Sequence, residues 1–235
     1  MKHAFITGIG HRLGFYLALR LIDQGYTVSG QYRSERDTLA KLSSQGVTLY
    51  QADFTKWDSL CQLAEQLSPL PRLDLLVHNA SAFYPTQDDP QAQAQDMAKF
   101  AAVHMQAPLL LTETLSDALK AGEDSCIVAL TDIYIHHPNP RLHAYCASKA
   151  GLDNLMQSYA LRLAPEVRVN CIEPGPILFL DEHDSAYRQQ ILDRTPLQCE
   201  GGLEPIWQAL AMIIQNRYLT GARIAVDGGR SVAQL

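Results

Sequence analysis

The chain has 235 residues, of which 47% are hydrophobic, and a formal net charge of −6 with a pI near 5.7. A hydrophobic fraction of this size supports a large packed core and argues against intrinsic disorder. The acidic balance argues against binding to nucleic acid or to an anionic membrane, because both partners require a basic face.

Short apolar runs alternate with longer helical patterns along the whole chain. The predicted strands, in chain order, are His3 to Thr7, Tyr26 to Tyr32, Val47 to Ala52, Leu73 to His78, Ser125 to Leu130, Val167 to Ile172 and Arg223 to Val226. The predicted helices are Arg12 to Gln24, Arg36 to Ser44, Trp57 to Leu67, Gln91 to Leu119, His143 to Leu163, Asp184 to Arg194 and Glu204 to Ile214. Pro108 predicts a kink or break in the fourth of these helices.

The strands lack polar alternation and are separated by helices, which is typical of a parallel sheet covered on both faces. The pattern therefore predicts an α/β fold with one Rossmann-like, doubly wound parallel sheet and helices on both faces. We expect a single domain over residues 1–235, with ligands bound at the carboxyl ends of the strands.

The five cysteines are far apart, odd in number and form no C-x-x-C pair. This usage argues against a disulfide framework and against a zinc site, so we expect a reducing cytoplasm. The N-terminal apolar run is too short for a signal peptide, and no apolar stretch approaches the length of a membrane span.

The turn after the first predicted strand is rich in glycine and is followed by a predicted helix. It contains the candidate dinucleotide-binding residues Gly8, His11, Arg12, Leu13 and Gly14. Glycines let the backbone approach a pyrophosphate, and the helix contributes free N–H groups and the positive end of its dipole. A lone motif of this kind is weak, and a glycine-rich turn without a ligand is the alternative. Arg12 suits either a phosphate oxygen or a substrate.

Polar residues also follow the next three strands. Tyr32, Arg33 and Ser34 end the second strand, where a carboxylate would select NAD; Arg33 and Ser34 instead suit a 2′-phosphate. We therefore expect NADPH, although solvated turn residues are the alternative and Glu35 is nearby. The third and fourth strands are followed by Asp53, Phe54, Asn79, Ala80 and Ser81, which suit the adenine and ribose groups. Each segment alone is typical of an ordinary loop, and only their regular placement supports the prediction.

Tyr145 and Lys149 lie four residues apart on one face of a predicted helix. A free tyrosine has a pKa of about 10 and is a poor acid–base catalyst at neutral pH. We expect the Lys149 cation, with an oxidised nicotinamide, to favour the phenolate and lower the pKa of Tyr145. The spacing is common on helices, but here it follows a glycine-rich first turn and precedes Glu173-Pro174-Gly175.

With Thr220-Gly221 and Val226-Asp227-Gly228-Gly229 near the C-terminus, these segments resemble the short-chain dehydrogenase/reductase family over the whole chain. The first turn is similar to the family's T-G-x-x-x-G-x-G, with Arg12 in place of the middle glycine. The resemblance implies an oxidoreductase in which hydride passes between a nicotinamide and a substrate carbon while Tyr145 handles the proton. It implies a homotetramer formed through the Tyr145-bearing helix and its neighbour. It also implies cofactor contacts from Tyr145, Lys149, Pro174, Gly175 and Ile177.

Asp132 stands thirteen residues before Tyr145, where most of that family has a serine that holds a substrate carbonyl. An ionised carboxylate cannot donate to a carbonyl oxygen, so ketone reduction is disfavoured. Asp132, Arg12 and Phe83 resemble the pteridine reductase branch, in which the phenylalanine stacks on the pterin opposite the nicotinamide. Taken singly, Asp132 is equally typical of a capping carboxylate and Phe83 of an ordinary wall residue. The segment Pro176-Ile177-Leu178-Phe179, with residues 182–190, is similar to bacterial dihydromonapterin reductases.

The resulting hypothesis is NADPH-dependent reduction of a carbon–nitrogen double bond in a dihydropterin, with dihydrofolate as a further substrate. Arg12, Phe83, Asp132 and Tyr145 are the expected substrate contacts, and Asp132 with Tyr145 relays the proton, directly or through water. His104 occupies the family's usual asparagine position, and the resemblance implies proton-relay support through its backbone carbonyl.

Two other functions stay open: a carbonyl or sugar reductase of the same family, and a non-catalytic NADPH-binding regulator. Asp132 argues against the first, and retention of both Tyr145 and Lys149 argues against the second. Residues 176–203 are predicted to form a substrate-side loop and helix. The His136-His137 pair has no third ligand placed by spacing, so we expect no metal.

Overall fold

The apolar runs and amphipathic segments of the sequence form a layered α/β structure, seen in a computed structural model that describes residues 1–181 and 183–233. The strands are β1 His3–Thr7, β2 Thr27–Tyr32, β3 Thr48–Gln51, β4 Leu75–His78, β5 Cys126–Leu130, β6 Arg168–Pro174 and β7 Arg223–Val226. The α-helices are α1 Arg12–Asp23, α2 Asp37–Ser44, α3 Trp57–Leu67, α4 Pro90–Ala101, α5 Ala107–Lys120, α6 His143–Arg162, α7 Ser185–Asp193 and α8 Glu204–Gln215.

All seven strands pair in parallel in one sheet, in the order β3-β2-β1-β4-β5-β6-β7. The order reverses between β1 and β4, so the crossovers from these strands leave on opposite faces and open a crevice at their carboxyl ends. The predicted fold class is confirmed, and most predicted element boundaries differ from the observed ones by one or two residues.

Successive side chains of each strand enter two different cores, one on each face of the sheet. In β1, Phe5 packs with helices α3, α5 and α6, whereas Ala4 and Ile6 pack with α1, α2 and α8. Burial on both faces explains why the strands are continuously apolar. None of the helices in the described part of the chain is both long enough and apolar enough to cross a membrane.

The long helical pattern before β5 is interrupted earlier than predicted. A π-turn over Ala102–Gln106 joins α4 to α5, and the Ala107 N–H donates to the Ala102 carbonyl oxygen. Pro108 lies in the first turn of α5 and lacks the N–H that would bond the carbonyl of His104, four residues earlier. The break expected from Pro108 is present as this π-turn, a few residues before the proline, because the preceding turn accommodates the bond that Pro108 cannot make.

Candidate active site

The glycine-rich turn lies at the carboxyl end of β1 and leads directly into α1. Gly8 has a φ of +70°, and a Cβ on Gly14 would lie 2.1 Å from the Gly8 carbonyl oxygen. Gly8 thus adopts a left-handed backbone conformation at low cost, and Gly14 allows α1 to approach the turn. The His11 side chain does not cap α1, so within the described residues no side-chain cap occupies this helix N-terminus. Its N–H groups suit a pyrophosphate.

Basic side chains surround this turn although the chain is acidic overall. Burial lowers the pKa of His11 below its ordinary value, and the charges of Arg36 and Arg12 lower it further. Arg33 and Ser34 are exposed just beyond the end of β2. The turn therefore lies in a locally positive field that suits phosphate groups. Sequence reasoning missed Arg36, which precedes α2 and is unremarkable by spacing.

Arg12 has a φ of +45°, in the left-handed region that glycine occupies at low cost. This conformation matches its place at the position where related turns have glycine. Its guanidinium donates to the carbonyl oxygen of Leu178, in the substrate-side region. Arg12 thus connects the phosphate-binding turn to the segment after β6. Leu13 packs partly buried against the core on the α1 face.

Asn79 joins the ends of β1 and β4. Its amide nitrogen donates to the Thr7 carbonyl at 2.9 Å and to the Gly8 carbonyl at 3.2 Å. The N–H groups of Asn79 and Ala80 both donate to the Thr7 hydroxyl at 3.0 Å. These bonds fix the floor of the crevice, and they make Thr7 a structural member of the site that sequence reasoning did not single out.

Gln31 fixes the other side of the turn. Its side-chain carbonyl oxygen accepts from the Gly8 N–H at 3.0 Å, and its side-chain amide nitrogen donates to the Ala52 backbone carbonyl. Gln31 is only 3% exposed. A polar residue in a strand that is otherwise buried was the available signal, and sequence reasoning missed it. Beside it, Tyr32 is half-buried and bonds Glu35 through its hydroxyl at 2.9 Å.

Asp53 and Phe54 follow β3 but differ in what they offer a ligand. Thr55 donates its N–H and hydroxyl to Asp53 Oδ1 at 3.0 and 2.7 Å. Burial raises the pKa of Asp53, but the Thr55 bonds outweigh it and hold that pKa below its ordinary value. Phe54 lies in the core at 5% exposure. Its side chain is therefore directed away from solvent, leaving its backbone as the available contact.

Tyr145 and Asp132 are in direct contact at the carboxyl end of β5. The Tyr145 hydroxyl donates to Asp132 Oδ2 at 2.7 Å, while Asp132 Oδ1 accepts from the Tyr134 N–H at 2.8 Å. Asp132 thus caps the short 3₁₀ turn Ile133–Ile135 and also accepts a hydrogen bond from the Tyr145 hydroxyl. Lys149 lies one turn along α6, and its ammonium donates to the Leu130 carbonyl at 2.7 Å.

Burial controls the titration of these three groups. It raises the pKa of Asp132 and lowers the pKa of Lys149 to about 8. Burial, followed by the Asp132 charge, raises the pKa of Tyr145 well above its ordinary value. In the protein alone the pKa of Tyr145 is therefore raised, and its lowering by Lys149 together with an oxidised nicotinamide stays a prediction. The carboxylate that replaces a neutral serine opposes a phenolate, so the tyrosine is held protonated.

Phe83 and His104 border the same tyrosine. The Phe83 ring meets Tyr145 edge-on, with centroids 5.0 Å apart, and is 43% exposed. His104 is fully buried; its ring contacts Tyr145 edge-on at 5.7 Å and bonds the hydroxyls of Ser81 and Ser148. Ser148 was missed because nothing in its spacing marks it.

The segment after β6 closes the other side of the crevice. Gly175 follows Pro174, and its N–H donates to the Val226 carbonyl at 3.0 Å. Ile177 packs against the core on the α1 face, and its carbonyl accepts from Gly202 at 2.7 Å. The described part of the substrate-side region contains α7, whereas Glu182, part of the quoted resemblance, lies outside the described residues.

His136 lies within hydrogen-bond distance of the buried Glu173, whose Oε1 can accept from Nε2 at 3.3 Å. Burial raises the pKa of Glu173. Among the described residues, no group of three or more histidine, cysteine or acidic side chains has a geometry that would hold a metal ion. His136 is thus engaged by a carboxylate at the side of the crevice.

The geometry agrees with what sequence comparison finds. The family described as enoyl-(acyl carrier protein) reductase, a short-chain dehydrogenase/reductase family, matches residues 8–231. The chain belongs to the short-chain dehydrogenase/reductase family. It is an oxidoreductase, and both predictions are confirmed.

Known short-chain dehydrogenases/reductases extend this similarity over nearly the whole chain. Dihydromonapterin reductase from Klebsiella pneumoniae is 36% identical over 230 residues, covering 96% of this chain and 95% of that protein. The Enterobacter enzyme of the same name is 34% identical over 228 residues, with the same coverage. The crystal structure of FolM alternative dihydrofolate reductase 1 from Brucella canis, complexed with NADP, has a TM-score of 0.87 and 28% identity, covering 100% of this chain and 95% of that chain.

Proposed function

We propose that this oxidoreductase uses NADPH to reduce a carbon–nitrogen double bond of a dihydropterin, converting 7,8-dihydromonapterin to tetrahydromonapterin and also accepting dihydrofolate. The observation that carries the proposal is the 2.7 Å hydrogen bond from the Tyr145 hydroxyl to Asp132, beside the exposed ring of Phe83. The similarity to dihydromonapterin reductases and to the NADP-bound FolM enzyme supports the same substrate class and cofactor.

The Asp132–Tyr145 pair suits protonation of a nitrogen better than stabilisation of a carbonyl oxygen. A ketone oxygen only accepts hydrogen bonds, whereas Asp132 accepts the hydrogen bond of the tyrosine and, when ionised, offers no donor. A pterin ring carries N–H donors, which a carboxylate accepts. The pair therefore both orients such a heterocycle and stores the proton that its nitrogen requires.

We propose that Asp132 takes up a proton from solvent and donates it to the Tyr145 oxygen, while Tyr145 passes its own hydroxyl proton to the substrate nitrogen. The raised pKa of Asp132 makes it a better proton source than an ordinary aspartate, and the raised pKa of Tyr145 disfavours a lasting phenolate. Tyr145 thus ends the step as a neutral phenol, and Asp132 ends it as the carboxylate that accepts a hydrogen bond from Tyr145. The Lys149 ammonium lies 5.9 Å from the centroid of the Tyr145 ring. Its positive charge stabilises negative charge on the oxygens of Tyr145 and Asp132.

Several features of the crevice support binding of a phosphorylated dinucleotide. The Gly8–Gly14 approach and the uncapped start of α1 suit the pyrophosphate, and Arg33 with Ser34 suits a 2′-phosphate. We assign Lys149 and the loop carrying Asn79 to the nicotinamide end. When bound, a reduced nicotinamide supplies the hydride that adds to the carbon of the double bond.

One assay tests the proposal: NADPH oxidation measured with dihydromonapterin, dihydrofolate and a panel of ketones and sugars. We expect turnover with the dihydropterin and weaker turnover with dihydrofolate. Turnover of ketones without dihydropterin turnover would contradict the proposal and favour a carbonyl reductase. NADPH binding without turnover of any substrate would favour a regulator.

Asp132→Asn tests the proton source. The amide keeps the shape but cannot supply an acidic proton, so we expect kcat with dihydropterin to fall about a hundredfold. NADPH affinity serves as the control and should change little. Full activity in Asp132→Asn would exclude the proposed relay.

We also propose a homotetramer that functions in the cytoplasm. A groove of about 460 Å³ between α5 and α6 is lined by Trp57, Met105, Leu109 and Leu155, and Trp57 is 58% exposed. An apolar surface of this kind on the Tyr145-bearing helix and its neighbour suits association. Light scattering of the purified protein tests the oligomeric state.

A further inference from the structure

We infer that the His104 side chain is a neutral positioning residue that ties the Phe83 loop to the helix carrying Tyr145 and Lys149. The residue touches no reacting atom and acts through Ser81, Ala82 and Ser148. Because Phe83 faces a substrate only under the proposed function, this role rests on that function.

The hydrogen bonds of His104 determine its tautomer. The Ala82 backbone N–H, which can only donate, points to Nε2 at 3.3 Å, so Nε2 is an acceptor. The Ser81 hydroxyl lies 2.9 Å from the same nitrogen and donates to it as well. The imidazole proton is therefore on Nδ1.

The contact at Nδ1 independently indicates the same tautomer. Ser148 donates its single hydroxyl proton to the Tyr145 carbonyl at 2.7 Å. Its oxygen, 2.8 Å from His104 Nδ1, must then accept from an Nδ1–H group. Both ends agree on one neutral tautomer, and a chain of bonds runs from Ser81 through His104 to α6.

The surroundings of His104 oppose a charged ring. The side chain is fully buried between Phe100, which stacks on it at 5.8 Å, and Tyr145. Burial lowers the pKa of His104 well below its ordinary value, and the Lys149 cation adds to the effect. A proton acceptor or donor working at neutral pH is thus disfavoured, whereas a fixed link is favoured.

The backbone explains why this histidine can reach both partners. His104 lies in the middle of the π-turn Ala102–Gln106. Pro108 favours this turn because it has no N–H with which to form the α-helical bond to the His104 carbonyl. Ala82 directly precedes Phe83, so the bond to Nε2 fixes the backbone that carries the exposed ring. The family resemblance concerns the backbone carbonyl of His104, whereas the bonds to Ala82 and Ser148 give the side chain a separate role.

Two amide substitutions separate the ends of the link. In His104→Asn the side-chain amide falls near the position of Nδ1 and can keep the Ser148 bond, but it cannot reach Ala82. In His104→Gln the amide oxygen falls near the position of Nε2 and can accept from Ala82 and Ser81. His3→Gln is the matched control, because His3 bonds Ser29 at the amino end of the sheet, remote from the site.

We expect His104→Asn to raise KM for the dihydropterin about tenfold, the effect of one lost hydrogen bond. His104→Gln, which keeps the Ala82 end but loses the Ser148 end, should raise KM by a similar factor, whereas His3→Gln should stay within about twofold of the parent. NADPH affinity and melting temperature should match in the two His104 variants. A KM within about twofold of the parent in either His104 variant would overturn the inference, because one end of the link would then be dispensable.

Nitrogen NMR of the histidine-labelled protein provides a readout without turnover. We expect the His104 shifts, assigned by their loss in His104→Gln, to report Nδ1–H and to stay constant between pH 5 and 8. An Nε2–H signal or a titration in that range would overturn the inference. If the parent protein reduces no dihydropterin, the proposed function fails, and the NMR result still decides the tautomer.

Discussion

The ammonium of Lys149 is held in the protein at a cost in stability, and removing it should reveal that cost. Lys149 is 2% exposed, and burial lowers its pKa from 10.5 to about 8. Between these values the unfolded chain binds a proton that the folded chain does not, so stability rises with pH across this window. Each pH unit is worth about 1.36 kcal/mol, which makes the buried charge cost on the order of 3 kcal/mol at neutral pH.

Lys149→Met keeps the length of the side chain and removes the titrating group. We expect the free energy of unfolding of Lys149→Met, relative to the parent, to decrease by about 3 kcal/mol as pH rises from 7 to 10.5. The lost bond to the Leu130 carbonyl shifts this difference by a constant, on the order of 1 kcal/mol, without changing its slope. Buried tyrosines and cysteines titrate in both proteins and cancel.

The measurement is urea unfolding of both proteins under reducing conditions at several pH values between 7 and 10.5. A difference that does not change with pH would refute the reasoning, because it would mean that Lys149 titrates alike in the folded and unfolded chains. Turnover of Lys149→Met should be lost at every pH. A variant that is more stable at pH 7 yet inactive would show that the charge is retained for function rather than for folding.

Three other substitutions test separate parts of the site. Gly14→Ala should destabilise the protein by about 2 kcal/mol or more, since its Cβ would lie 2.1 Å from the Gly8 carbonyl oxygen. Thermal unfolding measures this effect. Gly201→Ala is the control, because its Cβ would meet nothing closer than 3.6 Å. Arg33→Ala should raise KM for NADPH about tenfold or more and leave NADH unaffected; an equal change for both cofactors would contradict the 2′-phosphate assignment. Phe83→Leu should raise KM for dihydropterin about fivefold through loss of the aromatic face, and unchanged steady-state kinetics would argue against a stacked ring.

Much of this protein follows from local sequence patterns. The apolar runs and helical periodicity predicted the parallel, doubly wound sheet, because burial on both faces leaves a continuous apolar signature in each strand. The spacing of Tyr145 and Lys149 on one helix, and the glycines after β1, also supported the family assignment, because these are local features. Their geometry is set within a few residues of chain.

Contacts between distant segments could not be predicted in this way. Asp132 follows β5 and Tyr145 lies on α6, and only their packing brings the hydroxyl to 2.7 Å from the carboxylate. That contact, with burial, raises the pKa of Tyr145 in the protein alone. The spacing of Gln31 and Ser148 likewise carries no mark of the bonds they make.

The sequence by itself determined the architecture and the family, and it predicted Tyr145 and Lys149 as the proton-handling pair. The tertiary structure decided how those residues are charged and which side chains hold them: Asp132 against Tyr145, and His104 between Ser81 and Ser148. The physical reason is that periodicity records which face of a strand or helix is buried. Desolvation and long-range hydrogen bonds depend on neighbours that the folded chain alone brings together.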